Sequence, residues 1–243
     1  MELRIFETYK YLSSAAADLV IATVEKKPGA VLCFASGDTP KLAYELVAEK
    51  AKKENVDFSK CIFIGLDEWL AVPPDNPGSC HYFLQQYLIK PLGLHSSQVH
   101  LFNALTIDEE GECEKINQLI KEKGNIDFML VGVGLNGHIG FNEPGTDTGS
   151  LAHVRQLDNI TLAVGKKYFS DAMPANKGIT IGLKQVMEAG TLVMMANGKK
   201  KAPVIRMAVD GEVSNKFPAS LMRQHPNSFL MVDKEAASEL KKN

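Results

Sequence analysis

Short apolar runs alternate with longer amphipathic segments along most of this chain. The apolar runs are too short for most helices, and strands buried on both faces have this wholly apolar composition. The intervening segments repeat apolar residues every three or four positions, as helices with one buried face do. We predict strands at 30–35, 61–66, near Val99, 126–133, around Thr161, 191–197 and 228–233. We predict helices at 9–25, 40–55, 80–89, 109–121, after residue 197 and after residue 233.

This alternation of strand and helix predicts the fold class. Right-handed crossovers between parallel strands place helices on both faces of a sheet, which leaves the strands apolar throughout. We therefore predict an α/β fold: a single-domain, Rossmann-like three-layer sandwich with a mostly parallel sheet, covering residues 1–243. Ligands bind beyond the carboxyl ends of the strands in such folds, so the residues after each apolar run are the candidates for function.

Composition favours a small molecule over a polymer or a membrane as the partner. The chain has 243 residues and a formal net charge of -2, so it lacks the positive field that attracts nucleic acids. Its start does not resemble a leader peptide, and no apolar run reaches the roughly 18 residues of a membrane-spanning helix. The four cysteines contain no close pair, which favours a reducing compartment. We therefore expect a cytoplasmic protein.

The loop after the first predicted strand has the features of a phosphate-binding turn. It reads Ser36-Gly37-Asp38-Thr39-Pro40, in which glycine permits a tight turn and proline suits the first turn of a helix. Free backbone amides and the helix dipole at such a turn attract phosphate, and the two hydroxyls are further donors. The alternative is ordinary capping of the helix by Thr39. The carboxylate of Asp38 disfavours phosphate unless it points away.

Two acids and the single tryptophan follow the second predicted strand, in the order Asp67-Glu68-Trp69. A carboxylate beside an apolar wall can take a proton from one carbon of a sugar and return it to the next. We assign this role to Asp67. The alternative is that Asp67 caps the next segment or pairs with a surface lysine. Glu68 alternates away from Asp67 and is expected to be structural.

A glycine-rich loop at 132–145 contains His138 and, five residues later, Glu143. On a bent loop the imidazole can meet the carboxylate that orients it, and such a pair moves protons well. The alternative is a histidine that only forms surface hydrogen bonds. Although the loop includes a G-x-G-x-x-G pattern, FNEPG follows it instead of a helix, which argues against a dinucleotide site. We expect neither a metal nor an organic cofactor.

Three lysines, 199–201, begin the segment after the strand at 191–197. A lysine at such a junction can reach a phosphate as a point charge. Lysine runs usually decorate an exposed helix face, so we assign at most one of the three to a site.

Taken together, these motifs resemble the glucosamine-6-phosphate deaminase family. The resemblance rests on SGDTP, LDEW and GLNGHIGFNEPGT, and it extends through GITIGL, NGKKKA and FPASLMRQHP. It implies Asp67 as the acid/base of enolisation, His138 as the ring-opening residue and Glu143 as the partner of His138. Asn136 belongs to the same implied catalytic set, at a position that is aspartate in some relatives. The implied phosphate site combines the turn at 36–39 with Lys201.

Two residues depart from the family pattern. Asp38 replaces a glycine in the phosphate turn, and Lys167 stands where many members have a phosphate-binding arginine. A lysine supplies charge without the two-pronged guanidinium, so we expect weaker orientation of the phosphate and no loss of binding.

The resemblance implies isomerisation and deamination of an aminohexose 6-phosphate, and several alternatives stay open. LDEW, PGSC, FLQQ and PLGL are more similar to the galactosamine-6-phosphate branch, so either C4 epimer is a candidate substrate. The other two hypotheses are a 6-phosphogluconolactonase and a sugar-phosphate sensor on the same fold. The FNEPG stretch argues against the first, and the intact acidic and imidazole residues argue against the second. We expect a monomer or a small homo-oligomer.

Overall fold

A parallel sheet of seven strands forms the centre of the protein. The structure is a computed structural model that describes residues 1–169 and 176–241. In those residues the strands are β1 (Glu2–Phe6), β2 (Val31–Phe34), β3 (Ile62–Gly65), β4 (Asp67–Trp69), β5 (Val99–His100), β6 (Phe128–Val131), β7 (His153–Gln156), β8 (Lys177–Thr180), β9 (Thr191–Ala196) and β10 (Ser228–Asp233). The main sheet has the order β1-β10-β9-β6-β2-β3-β5, and every neighbouring pair is parallel.

Helices cover both faces of this sheet. They are α1 (Tyr9–Lys26), α2 (Asp38–Glu54), α3 (Cys80–Leu84), which continues as a π-helical turn (Gln85–Ile89), α4 (Lys90–Leu92), α5 (Glu109–Lys123), α6 (Asn159–Gly165), α7 (Leu183–Glu188) and α8 (Ala202–Asp210). Shorter 3-10 segments occur at Ser96–Gln98, Lys166–Tyr168, Lys199–Lys201 and Pro218–Gln224. None of the helices in the described ranges has both the length and the apolarity to cross a bilayer.

Alternate residues of the central strands enter two separate cores. Leu32 and Phe34 of β2 pack with α1 and α2, whereas Val31 and Cys33 pack with α5, α7 and α8. Both faces are therefore buried, which explains why these strands are apolar throughout. The fold class predicted from the alternating pattern is confirmed.

A small antiparallel sheet, in the order β4-β8-β7, adjoins the carboxyl end of the main sheet. Its first strand begins at Asp67, two residues after β3 ends at Gly65, so the chain passes almost directly from one sheet into the other. Asp67 pairs with Thr180 of β8, and the backbone N–H of Ile181 donates to the carbonyl of Leu66 at 2.9 Å. This pairing fixes the backbone at Asp67, the residue that we predict to be a base.

Two predicted elements are wrong. Thr161 lies in α6 and not in a strand, because the side chain of Asp158 caps this helix by accepting the N–H of Ile160 at 2.7 Å. The β-branched residues of this segment suggested a strand, and the cap overrides that preference. After β10, residues 234–239 form successive turns where we predicted a helix. Strands β1, β4, β7 and β8 were not predicted.

Candidate active site

A cleft of about 400 Å³ opens at the carboxyl end of the central strands. Its walls come from the loops after β2, β3, β6 and β9, together with α6 and the 3-10 turn that follows it. Parallel strands all direct their carboxyl ends to the same edge, so residues distant in the chain meet there. The volume lies within the range of pockets that hold small molecules.

Asp67 lies in the wall of this cleft, partly shielded from solvent. Burial, together with the nearby charge of Glu68, raises the pKa of its carboxyl to about 7, although hydrogen bonding with Cys80 opposes the shift. A carboxyl with a pKa near neutrality can both accept and return a proton at physiological pH.

Glu68 is buried beneath Asp67 and holds backbone groups in place. Its carboxylate accepts the N–H groups of Trp69 at 2.8 Å, Cys80 at 2.9 Å and His81 at 2.7 Å. The start of α3 is thereby tied to β4. In turn the hydroxyl of Ser36 donates to Cys80 Sγ at 2.9 Å, which connects α3 to the turn after β2.

His138 also lines the cleft, and its partners lie behind it. Its Nδ1 is 3.3 Å from Glu143 Oε2, which also accepts from Asn136 Nδ2 at 2.7 Å. Asn136 Oδ1 accepts the backbone N–H of His138 at 3.3 Å, so one amide holds both members of the pair. The imidazole lies against Gly134, where a Cβ atom would come within 2.3 Å of the ring. Only glycine leaves room for the imidazole there.

The hydrogen bonds around Glu143 determine which nitrogen of His138 carries the proton. Burial acts to raise the pKa of Glu143, but hydrogen bonds and charge from His138, with Thr161 and Asn136 contributing, hold that pKa below its usual value. Glu143 is therefore a carboxylate, which can only accept. His138 Nδ1 consequently donates, and Nε2 is left to accept a proton from a ligand in the cleft.

The turn after β2 forms another part of the cleft. Gly37 has a φ of 120°, a left-handed conformation that side chains rarely adopt, and it is the N-cap of α2. The alternative in which Thr39 caps this helix is wrong, because Gly37 is the N-cap and the hydroxyl of Thr39 donates to Asn197 Oδ1 at 2.9 Å. As a glycine, Gly37 has no side chain with which to cap α2.

Two lysines approach this turn from other loops. Lys201 donates through Nζ to the carbonyl of Val133, and burial, with the charge of Lys167, lowers its pKa to about 8. Lys167 lies at the mouth, where its Nζ is 2.7 Å from Asp38 Oδ2. The two departures from the family pattern thus form an ion pair with each other.

The structure brings most of the predicted site residues to one cleft. The residues that line it are Ser36, Gly37, Asp38, Thr39, Asp67, His138, Lys167 and Lys201. Asn136 and Glu143 do not line the cleft but contact His138 from behind. Across residues 1–169 and 176–241, no group of three or more His, Cys, Asp or Glu side chains is placed to hold a metal ion.

Sequence reasoning missed several residues of the cleft, and three polar ones among them are Cys80, Thr161 and Asn197. Asn197 follows β9 directly, so the rule that ligands bind beyond the strand ends could have identified it. Cys80 and Thr161 begin or lie within helices, and nothing in their local sequence indicates that they face the site.

Comparison with known proteins shows which families this chain is similar to. A family model described as glucosamine-6-phosphate isomerases/6-phosphogluconolactonase matches residues 7–231. Glucosamine-6-phosphate deaminase of Thermoanaerobacter pseudethanolicus is 37% identical over 239 residues, which cover 98% of this chain and 94% of that protein. Glucosamine-6-phosphate deaminase 1 of Bacillus subtilis is 34% identical, with 98% and 99% covered.

Solved structures show the same relationship. One described as a monomeric glucosamine-6-phosphate deaminase superposes with a TM-score of 0.95 at 33% identity, covering 98% of this chain and all of that one (100%). The 6-phosphogluconolactonase of Trypanosoma brucei gives a TM-score of 0.78 at 17% identity, covering 99% of this chain and 98% of that one. At that identity the second likeness concerns the fold alone.

Proposed function

Because this chain belongs to the family of glucosamine-6-phosphate isomerases and 6-phosphogluconolactonases, we propose that it converts an aminohexose 6-phosphate into a ketohexose 6-phosphate and ammonia. One observation carries the proposal: the Asp67 carboxyl and the His138 imidazole line the same cleft, with Lys201 and an uncapped helix start beside them. Aldose-ketose isomerisation needs this combination of two proton-transfer groups.

His138 performs the first step, which opens the sugar ring. Its unprotonated Nε2 takes the proton from the anomeric hydroxyl and delivers a proton to the ring oxygen as the bond between that oxygen and C1 breaks. The carbonyl forms at C1 as an aldehyde. Glu143 accepts from Nδ1 throughout and stabilises the transient positive charge on the imidazole.

Asp67 performs the second step, which moves a proton between neighbouring carbons. The carboxylate removes the proton from C2 while the aldehyde oxygen takes up a proton from solvent, which gives an enol that carries the amino group. Asp67 then returns its proton to C1 while the amino group releases one proton to solvent. The product is an imine at C2. Water then adds to C2 and ammonia leaves, so that a ketone remains there. A carboxyl with a pKa of about 7 suits both directions of the transfer.

The phosphate is proposed to bind at the turn of residues 36–39. The amides at the start of α2 and the hydroxyls of Ser36 and Thr39 are donors there, and Lys201 supplies positive charge. Lys167 joins them when the phosphate replaces Asp38 as its partner. Both charges on the proposed phosphate would then be countered by lysines from separate loops.

The low pKa of Lys201 gives the proposed phosphate site a pH limit. Lys201 is charged below its pKa of about 8 and loses that charge above it, so we expect kcat/KM to fall above about pH 8. Lys201→Arg keeps its charge at any accessible pH, so the alkaline limb should vanish even if the rate is lower. The measurement is kcat/KM from pH 5 to 10 for both proteins. An unchanged alkaline limb in Lys201→Arg would contradict this assignment.

The ion pair between Asp38 and Lys167 is expected to weaken binding of the phosphate. Asp38→Asn releases Lys167 and removes a negative charge from the turn, so KM should fall roughly 3–10-fold with kcat unchanged. Lys167→Met is the matched control, since it removes the cation and should raise KM. The effects should shrink at high salt, because both side chains are exposed. An Asp38→Asn protein with a raised KM would exclude this role.

Two findings favour deamination over lactone hydrolysis. The relatives of 34–37% identity are deaminases, whereas the lactonase of Trypanosoma brucei is similar at 17%. Hydrolysis of a lactone also requires no proton transfer at C2, which would leave the tuned carboxyl of Asp67 unused. The choice between glucosamine and galactosamine 6-phosphate depends on the orientation of one hydroxyl, and both belong to the proposal.

One assay tests the proposed function. The protein is offered glucosamine 6-phosphate, galactosamine 6-phosphate and 6-phosphogluconolactone, and ammonia, ketohexose 6-phosphate and acid release are measured. We expect ammonia and ketohexose phosphate in equal amounts from at least one amino sugar. Lactone hydrolysis without ammonia release would overturn the proposal. The expectation of a monomer or small homo-oligomer, acting in the cytoplasm, stays a prediction, supported for its first part by the relative described as monomeric.

A further inference from the structure

Thr161 of α6 is a second side chain, beside Glu143, against Nδ1 of His138. Its hydroxyl oxygen lies 3.0 Å from that nitrogen, closer than Glu143 Oε2 at 3.3 Å. The side chain is buried, with 4% of its surface exposed, and it lines the cleft beside His138. We propose that Thr161 is a positioning residue that fixes the imidazole of His138 for ring opening, an inference that rests on the proposed function.

The donors and acceptors around this hydroxyl leave one consistent arrangement. Asn136 Nδ2 can only donate, and it lies 3.5 Å from Thr161 Oγ1 and 2.7 Å from Glu143 Oε2. The carboxylate of Glu143 can only accept, so it takes the single hydroxyl proton of Thr161. The proton on His138 Nδ1 then lies between two acceptors, a lone pair of this hydroxyl at 3.0 Å and Glu143 Oε2 at 3.3 Å. Thr161 and Glu143 together hold the proton on Nδ1 and leave Nε2 free.

The helix that carries Thr161 is itself fixed to the same carboxylate. The backbone N–H of Asp158, the N-cap of α6, donates to Glu143 Oε1 at 3.2 Å. Further along, Gly165 packs so closely on Trp69 that a Cβ atom there would come within 2.6 Å of the indole. Thr161 lies between these two contacts, so its hydroxyl has little freedom. A rigid second partner can restrict rotation of the imidazole, which a single carboxylate at 3.3 Å restricts less.

The test compares Thr161→Val, Thr161→Ser and His138→Gln, together with the double variant Thr161→Val/His138→Gln. Valine has the shape of threonine without the hydroxyl, and we expect it to lower kcat about 10–100-fold with KM within about threefold. Serine keeps the hydroxyl and should restore kcat to within about threefold of the unaltered protein. In the His138→Gln background, removing the hydroxyl should have almost no further effect, because Thr161 acts through the imidazole.

Each outcome bears on the inference. Three results would overturn it. The first is a loss of kcat from Thr161→Val that adds fully to the loss from His138→Gln, and the second is a Thr161→Ser protein whose kcat is not restored. The third is a Thr161→Val protein with kcat within twofold of that of the unaltered protein. If Thr161→Val does not fold, Thr161→Ala and Thr161→Ser carry the same comparison, with circular dichroism to verify folding. If the unaltered protein releases no ammonia from either amino sugar, the proposed function fails instead. The two failures are therefore distinguishable.

Discussion

Replacing Asp67 with asparagine is expected to abolish turnover almost completely and, above pH 7, to make the folded protein more stable. Asparagine has nearly the same shape but cannot take the proton from C2, so kcat should fall by roughly 10²–10⁴. The fold should be unaffected, since the backbone pairing of Asp67 with Thr180 does not involve the side chain. Ammonia release close to that of the unaltered protein would show that the base is elsewhere.

The stability gain follows from the raised pKa of Asp67. Burial raises that pKa from 3.8 to about 7 in the folded state, so folding favours the protonated form. Below about pH 4 the carboxyl is protonated in both the folded and the unfolded state, so its ionisation does not lower the stability of the fold. As the pH rises to about 7, the folded state loses stability, and the loss is complete above that pH.

Asparagine carries no such penalty, so the advantage of Asp67→Asn should grow between pH 4 and 7. We expect roughly 1–3 kcal/mol at pH 8, allowing for partial access of solvent to the side chain. Urea unfolding at pH 4, 6 and 8 measures it. Glu68→Gln is the matched control one residue away. Burial also raises the pKa of Glu68, but its carboxylate accepts three backbone N–H groups and the amide nitrogen of glutamine would face one of these donors, so that variant should show no comparable gain. Equal effects of both substitutions at pH 8 would contradict the argument.

Replacing His138 with glutamine is expected to lower kcat by roughly 10²–10⁴ and to change which step limits the reaction. Glutamine can still form hydrogen bonds to Glu143, but it cannot move a proton from the anomeric hydroxyl to the ring oxygen. Ring opening then becomes slow, whereas the chemistry at Asp67 is untouched. The loss of kcat in His138→Gln can therefore be identified from the step that limits the rate, as well as from its size.

A substrate with deuterium at C2 reveals that signature. In His138→Gln the slow step precedes cleavage of the C2 bond, so deuterium should hardly alter the rate. Asp67→Glu is the comparison, because a displaced carboxylate slows the transfer at C2 itself and should give a large isotope effect. An isotope effect in His138→Gln as large as that in Asp67→Glu would assign His138 to the C2 proton transfer instead of ring opening.

Burial on both faces made the main sheet predictable. The runs that became β2, β3, β6, β9 and β10 are mainly apolar, and their short length separated them from helices. The edge strand β1 is half exposed and polar at alternate positions, so no run marks it. Strands β4, β7 and β8 are short, and they form only because their partners meet beyond the end of β3.

Some contacts of the candidate site could likewise be predicted from local sequence, whereas others depend on the tertiary fold. His138 and Glu143 lie on one short loop, so their meeting could be anticipated from spacing. The pairing of Asp38 with Lys167 joins segments more than a hundred residues apart, and no local sequence pattern predicts it. Thr161 belongs to the same class: it reaches the imidazole only because a capped helix replaced the strand that its sequence suggested.

The order of strands in the main sheet has a consequence for synthesis of the protein on the ribosome. Within the described residues β1 pairs with β10 alone, and β10 is made long after β1, so β1 leaves the ribosome well before its neighbour exists. Contacts between such distant segments form slowly because a long loop must close first. A nascent chain stopped before β10 exposes an unpaired edge of β9, a surface that invites aggregation.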